Sequence, residues 1–168
     1  AEVARWPKEY ALAWVSADAG DDLYRLLECT LAALEPYDPP WRTAPEALLA
    51  ALGRGQDAAR REVAAEIINT LDACAVPRGL IVFDDVHRVE DPAFFRFLDQ
   101  LVERMSPRWT LALTSRTEPP VALARLRAAD ALAEFRQLQL QFARDEAREL
   151  AAQSGLATAA ADRLFDRT

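Results

Sequence analysis

The sequence predicts an α/β domain of three layers, in which a mostly parallel sheet has helices on both faces. Two observations lead to this class. Short apolar runs rich in strand-forming residues alternate with longer segments whose apolar residues recur at helical spacing. In addition, residues 80–83 (LIVF) are apolar at every position, which is typical of a parallel strand covered by helices on both faces.

The first half of the chain supplies one predicted strand and two helices. Residues 11–17 (ALAWVSA) form the strand, and a turn with several aspartates follows it. The next helix ends before Pro36 and carries a leucine stripe made of Leu23, Leu26, Leu27, Leu31 and Leu34. Thr43 and Glu46 have the spacing of a capping box, so we expect a helix over residues 45–52.

A longer helix is predicted to begin at Asp57 and to end before Pro77 and Gly79, where the strand of residues 80–83 starts. Asp91 and Pro92 then predict the start of a helix with a wide apolar face. Its aromatic residues are interpreted as core.

The last third predicts two more strands, over residues 109–114 and 132–138, with a short helix over 121–127 between them. A helix over residues 144–153 ends at Gly155, and residues 158–167 predict the start of another.

Length and composition are those of an ordinary globular domain. The chain has 168 residues, of which 51% are apolar and 28% are charged. No apolar run approaches the roughly 18 residues of a membrane-spanning helix, and the first residues lack a secretory signal, so no membrane association is expected. Cys29 and Cys74 are interpreted as reduced core thiols, which predicts a cytoplasmic protein.

The net charge of −7 disfavours direct contact with nucleic acid, because nucleic-acid-binding domains usually carry a basic face. Lys8 is the only lysine. The neighbouring Arg60 and Arg61, like Arg125 and Arg127, are interpreted as parts of solvated helix faces.

Two adjacent acids, Asp84 and Asp85, directly follow the apolar strand of residues 80–83. Ligands of α/β folds bind at the carboxyl ends of the strands, and an ionised carboxylate there requires solvent, a partner or a cation. Successive residues of a strand point to opposite sides, so the two acids can have different roles near a Mg²⁺-bound phosphate. Exposure to solvent, or capping of the next segment, is the structural alternative.

Residues 80–87 (LIVFDDVH) resemble the Walker B segment of the signal-transduction ATPases with numerous domains (STAND), in particular the MalT-like branch of LuxR-type transcriptional regulators. Residues 114–119 (TSRTEP) resemble the sensor segment after the next strand of that family. Residues 14–18, 123–127 and 142–147 are similar to further family segments in the same order.

The resemblance implies a role for each of three residues. Asp84 would be the Mg²⁺ ligand, usually through water, Asp85 would position the attacking water, and Arg116 would contact the γ-phosphate of ATP. Arg116 could instead pair with Glu118. His87 is interpreted as a hydrogen-bonded structural histidine rather than a base.

The sequence departs from the family in one respect: it contains no GxxxxGK[ST] motif, the loop that holds the β- and γ-phosphates. We therefore expect an incomplete P-loop NTPase fold that lacks the first strand and the P-loop, with the chain starting late in the helix after that loop. Residues 1–142 would be the partial nucleotide-binding domain, and residues 143–168 the start of the following helical segment.

The missing strand would leave a gap between the sensor strand (residues 109–114) and the last strand (residues 132–138). Unpaired strand edges are usually covered. We expect the last strand to close onto the sensor strand, to detach, or to leave a gap that another chain fills.

Three functions remain open. The first is part of a nucleotide-switch regulator that uses ATP and Mg²⁺ in the intact parent protein, with neither expected to bind this chain tightly. Its partners would be other domains of the parent, with self-association through open strand edges. The second is a non-catalytic α/β scaffold for protein interactions. The third, a phosphoacceptor receiver domain, is disfavoured because no lysine follows Lys8.

Overall fold

The computed structural model describes residues 7, 9–53, 57–141 and 143–153. They form two compact units, one that ends at Ala122 and one that begins at Leu123. The predicted nucleotide-binding domain, residues 1–142, stays a prediction.

The first unit contains a sheet of three parallel strands in the order β1-β2-β3. The strands are β1 (Ala11–Ser16), β2 (Gly79–Asp84) and β3 (Trp109–Leu113). Each lies within one residue of its predicted bounds, because a short apolar run between turn residues is more typical of a strand than of a helix. The α/β class with a parallel sheet is confirmed.

Four α-helices accompany this sheet: α1 (Leu23–Leu34), α2 (Pro45–Leu52), α3 (Asp57–Ala73) and α4 (Pro92–Arg104). Asp91 caps α4 as predicted, since its carboxylate accepts a hydrogen bond of 2.8 Å from the Ala93 N–H. Its other oxygen accepts one of 2.9 Å from the N–H of Leu23, the first residue of α1. One carboxylate thus satisfies the amino-terminal ends of two helices.

The predicted capping box at α2 is wrong. The residue before the helix is Ala44, which provides no side-chain cap. Glu66 of α3 instead accepts hydrogen bonds from the N–H groups of Arg42 and Thr43, at 2.9 and 3.1 Å. A residue distant in sequence therefore holds the segment before α2, whereas the sequence pattern predicted a local cap.

The core lies between the sheet and the helices α1, α3 and α4. Ile81 and Phe83 of β2 line a small apolar space together with residues from all three helices. The rings of Phe83 and Phe94 pack edge to face at 5.2 Å. Odd-numbered strand residues therefore face these helices, whereas the even-numbered Trp14 of β1 is 45% exposed.

One side chain satisfies part of the outer edge of β1. The Tyr37 hydroxyl accepts a hydrogen bond of 2.9 Å from the Leu12 N–H and donates one of 3.1 Å to the Leu12 carbonyl. Both edge groups of that residue are thus satisfied without another strand.

The second unit contains α5 (Leu123–Ala128), α6 (Gln137–Leu140) and α7 (Arg144–Gln153). The strand predicted over residues 132–138 is wrong: residues 131–136 have no regular structure, and α6 starts at Gln137. Arg127 and Arg136 both bind the Glu134 carboxylate, which fixes this stretch as a loop. The helix predicted over 121–127 is formed as α5, and the segments predicted from Gly155 onward lie outside the described residues.

β3 is an edge strand at the position of the predicted gap. Within the described residues, no strand pairs with its outer side. The segment expected to close onto it is not a strand.

Two further predictions concern composition. Cys29 and Cys74 form no disulfide, and Cys74 is buried, as expected for core thiols. Among the helices of the described residues, none has the length and hydropathy needed to cross a membrane.

Candidate functional site

The carboxyl ends of the three strands are joined by backbone hydrogen bonds that continue past the sheet. The Ala17 N–H donates to the Asp84 carbonyl at 2.8 Å, and the Val86 N–H donates to the Thr114 carbonyl at 3.0 Å. The Thr114 N–H also donates to the Phe83 carbonyl at 3.0 Å. These bonds set the positions of the acids that follow β2 and of the polar residues that follow β3.

The side chain of Thr114 contacts both acids of the predicted site. Its hydroxyl donates a hydrogen bond to Oδ1 of Asp84 and accepts one of 2.8 Å from the Asp85 N–H. Oδ2 of Asp84 makes no hydrogen bond to any described residue. The Asp84 carboxylate is thus oriented through one oxygen, and the other remains available to a ligand.

Asp85 has left-handed backbone angles, with φ 60° and ψ 36°. Aspartate tolerates this region better than most residues, and such conformations often occur at functional sites. The carboxylate is 43% exposed and does not cap the 3₁₀ turn that follows, Val86–Arg88. The capping alternative for Asp85 is therefore not realised.

Two cationic or potentially cationic side chains lie near Asp85 beyond hydrogen-bonding distance. Nδ1 of His87 is 3.7 Å from Oδ1 of Asp85, and Nε of Arg88 is 4.0 Å from Oδ2. Nδ1 of His87 is buried and has no hydrogen-bond partner among the described residues. The interpretation of His87 as a hydrogen-bonded structural residue thus finds no support at this atom.

An ion pair joins the ends of β1 and β2. Arg88 hydrogen-bonds to Oδ1 of Asp18, and the Asp18 N–H in turn donates to Oδ2 of Asp21 at 2.8 Å. The pair links the loop after β1 to the turn that carries Asp85.

Arg116 lies in the bend after β3 and is exposed. It makes no hydrogen bond or ion pair within the described part of the chain, so the alternative pairing with Glu118 is not formed. Asp84 and Asp85 are thus joined through Thr114, and Arg116 follows Thr114 by two residues at the same edge of the sheet.

Sequence reasoning assigned no role to Thr114 or Arg88. A hydroxyl residue directly after an apolar strand, next to a strand that ends in acids, is a signal that could have identified Thr114. Arg88 offers no such signal, because its partner Asp18 is 70 residues away in sequence.

The carboxylates at this edge are of the chemical type that binds Mg²⁺ in proteins. No cluster of three or more histidine, cysteine or acidic side chains suited to a metal exists in the described ranges. Mg²⁺, however, usually takes one or two carboxylates and completes its shell with water and substrate phosphates. Asp84 and Asp85 fit that role, whereas the sequence has no phosphate-binding loop.

Comparison with known proteins adds no further identification: no protein-family model matches the chain, and no curated protein matches it. The fold and the site define the class as an α/β domain with an acidic pair at the carboxyl edge of a parallel sheet.

Proposed function

We propose that this chain is part of the ATP-binding switch domain of a signal-responsive bacterial transcriptional regulator, of the MalT-like STAND class. The observation that carries the proposal is the bridge from Asp84 through the Thr114 hydroxyl to the Asp85 N–H, across two adjacent parallel strands. The bridge orients the Asp84 carboxylate and leaves the Asp85 carboxylate exposed. A metal ligand requires a fixed orientation, and a residue that positions water must be accessible to it.

Each of the three candidate residues has a distinct role in the proposal. Asp84 binds Mg²⁺ through water, and its fixed orientation supports this assignment. Asp85 positions the attacking water, supported by its exposure and left-handed backbone. Arg116 contacts the γ-phosphate, supported by a guanidinium that has no partner among the described residues.

ATP binding requires a phosphate cradle that this sequence lacks, so we expect the chain alone to bind Mg·ATP weakly or not at all. Its partners are other domains of the parent protein, and the outer edge of β3 is a surface for self-association. DNA would be bound elsewhere in the parent, given the acidic charge of this segment. Such a regulator would be cytoplasmic.

Calorimetry with Mg·ATP tests the proposal, on this chain and on a polypeptide extended upstream to include any GK[ST] segment that the parent encodes. The extended polypeptide should bind and hydrolyse ATP, and Asp85→Asn should lower hydrolysis by about 10²-fold or more while binding is retained. Glu90→Gln is a matched control, because Glu90 is exposed and makes no side-chain hydrogen bond or ion pair within the described residues. Loss of stability without loss of hydrolysis in Asp85→Asn would refute the role.

A non-catalytic scaffold is the second candidate. The unpaired outer edge of β3 within the described residues favours it, because an open edge can recruit an extended segment of a partner. This function predicts that the extended polypeptide does not bind Mg·ATP. It also predicts that Asp84→Asn and Asp85→Asn leave partner binding unchanged.

A further inference from the structure

A second concave region lies between the amino-terminal turns of α3 and the first half of α4. It is a cleft of about 150 Å³, and a single water needs only roughly 10–15 Å³ measured in this way. Arg60 and Arg61 line it from α3, Arg96 lines it from α4, and the buried Ala93 and Phe97 contribute apolar surface. These residues are distinct from those at the carboxyl edge of the sheet.

The charge of this cleft is opposite to that of the chain. Three guanidinium groups and the single carboxylate of Asp57 give the lining a formal charge of +2, whereas the whole chain carries −7. Asp57 is 78% exposed and is paired with Arg60 at 2.5 Å. Arg61 and Arg96 make no hydrogen bond or ion pair with any described residue.

This arrangement has a local energetic cost. Arginines near the amino-terminal end of a helix oppose its dipole, which is positive there, and like charges that line one cleft disfavour each other. The chain has 27 acidic residues that could neutralise them, yet within the described ranges Arg61 and Arg96 have no acidic partner. A bound anion would offset both costs, and local conflicts of this kind are expected where a protein binds a ligand.

We propose that the cleft binds the phosphate group of a small phosphate monoester. A guanidinium can donate two parallel hydrogen bonds to phosphate oxygens. A phosphate monoester carries a charge of about −1.5 to −2 at neutral pH, which matches the formal charge of the lining. The proposal does not depend on nucleotide binding at Asp84 and Asp85, because the two sites share no residue.

The test is a titration of the whole chain with inorganic phosphate at constant ionic strength, followed by backbone and arginine side-chain NMR signals. Signals of Arg61 and Arg96 should shift and saturate. The double substitution Arg61→Gln with Arg96→Gln should weaken binding by about tenfold or more for each guanidinium removed. Arg104 is an exposed arginine of the same helix α4, and Arg104→Gln should bind phosphate like the wild type.

Three results would overturn the proposal. The first is the absence of saturable shifts in the wild type, and the second is an equal loss of affinity in Arg104→Gln, which would indicate unspecific attraction. The third is binding to vesicles that contain phosphatidic acid without binding to free phosphate, which would indicate a lipid surface.

Discussion

The hydroxyl of Thr114 donates a hydrogen bond to the carboxylate of Asp84 across two adjacent parallel strands. The same hydroxyl accepts the N–H of Asp85 at 2.8 Å. One side chain directly after β3 thus orients Asp84, which ends β2, and bonds the backbone of Asp85, which follows it. The positions of the two acids therefore depend on contacts between neighbouring strands and not only on the segment that contains the acids.

Replacing Thr114 by valine should destabilise the protein by about 0.5–1.5 kcal/mol, because it removes a partner from a carboxylate and from a backbone N–H. Urea unfolding measures the change. Thr110→Val is the control. Thr110 is an exposed residue of β3 and has no side-chain hydrogen bond among the described residues. Its stability should change by less than about 0.5 kcal/mol. Equal effects at both positions would exclude a special role for Thr114.

The hydrogen bonds of Tyr37 to the outer edge of β1 at Leu12 make a second prediction. Tyr37→Phe should lower the free energy of unfolding by about 1–2 kcal/mol, since the N–H and carbonyl of Leu12 both lose a partner. Tyr24→Phe removes the same atom from a 43% exposed side chain of α1 and should be nearly neutral. If Tyr37→Phe is also neutral, water satisfies the edge as well as the hydroxyl does.

Gly79 packs directly against the indole ring of Trp109. A methyl group at this position would lie 2.2 Å from Cε3 and Cζ3 of the ring. Trp109 is buried and its Nε1–H donates to the Leu71 carbonyl at 2.9 Å, so the ring cannot move without losing that bond. Gly79→Ala should therefore cost about 3 kcal/mol or more by thermal or urea unfolding.

Gly53→Ala is the matched control for Gly79→Ala. At Gly53 a methyl group would meet no atom closer than 3.7 Å, and the backbone is right-handed helical. This change should be neutral or stabilising by up to about 1 kcal/mol. Comparable losses at the two glycines would contradict the packing argument.

The carboxyl of Glu134 has a pKa lowered from 4.5 to about 2, first because Arg127 hydrogen-bonds to it and then because of the charges of Arg127 and Arg136. A lowered pKa in the folded state means that the stabilisation is complete above pH 4.5 and is lost as the pH falls toward about 2. Carbon-13 NMR of the carboxyl group measures this titration. Arg127→Gln should raise the pKa of Glu134, whereas Arg148→Gln, which removes the partner of Asp145, should leave it unchanged.

The three strands of the sheet could be predicted from sequence because each is a short apolar run whose only large-scale alternative, a helix, is excluded by length and flanking turns. Residues 132–138 were misassigned for the complementary reason. Leu132, Ala133 and Phe135 are apolar residues that fit a short strand, but a strand also needs a neighbour, and the sequence of the segment does not reveal one. Leu138 is 84% exposed, and Glu134 is held by two arginines instead.

The candidate site was only partly predictable. Asp84 and Asp85 could be identified because they follow an apolar run at the carboxyl end of a predicted strand, where α/β folds bind ligands. Thr114 and the pairing of Arg88 with Asp18 depend on contacts between strand ends that are 29 to 70 residues apart in sequence. The cleft lined by Arg61 and Arg96 was missed for the same reason: Arg60 and Arg61 were interpreted as a solvated face, and their neighbour on α4 became visible only in the fold.

Paramagnetic Mn²⁺, used in place of Mg²⁺, tests the acidic site most directly. In the chain labelled for NMR, low concentrations of Mn²⁺ should selectively broaden the backbone signals of Asp84, Asp85 and Thr114, excess Mg²⁺ should reverse the effect, and Asp84→Asn should abolish it. If the broadening is instead centred on other acidic residues, or is the same in Asp84→Asn, the pair does not form the acidic part of a Mg²⁺ site.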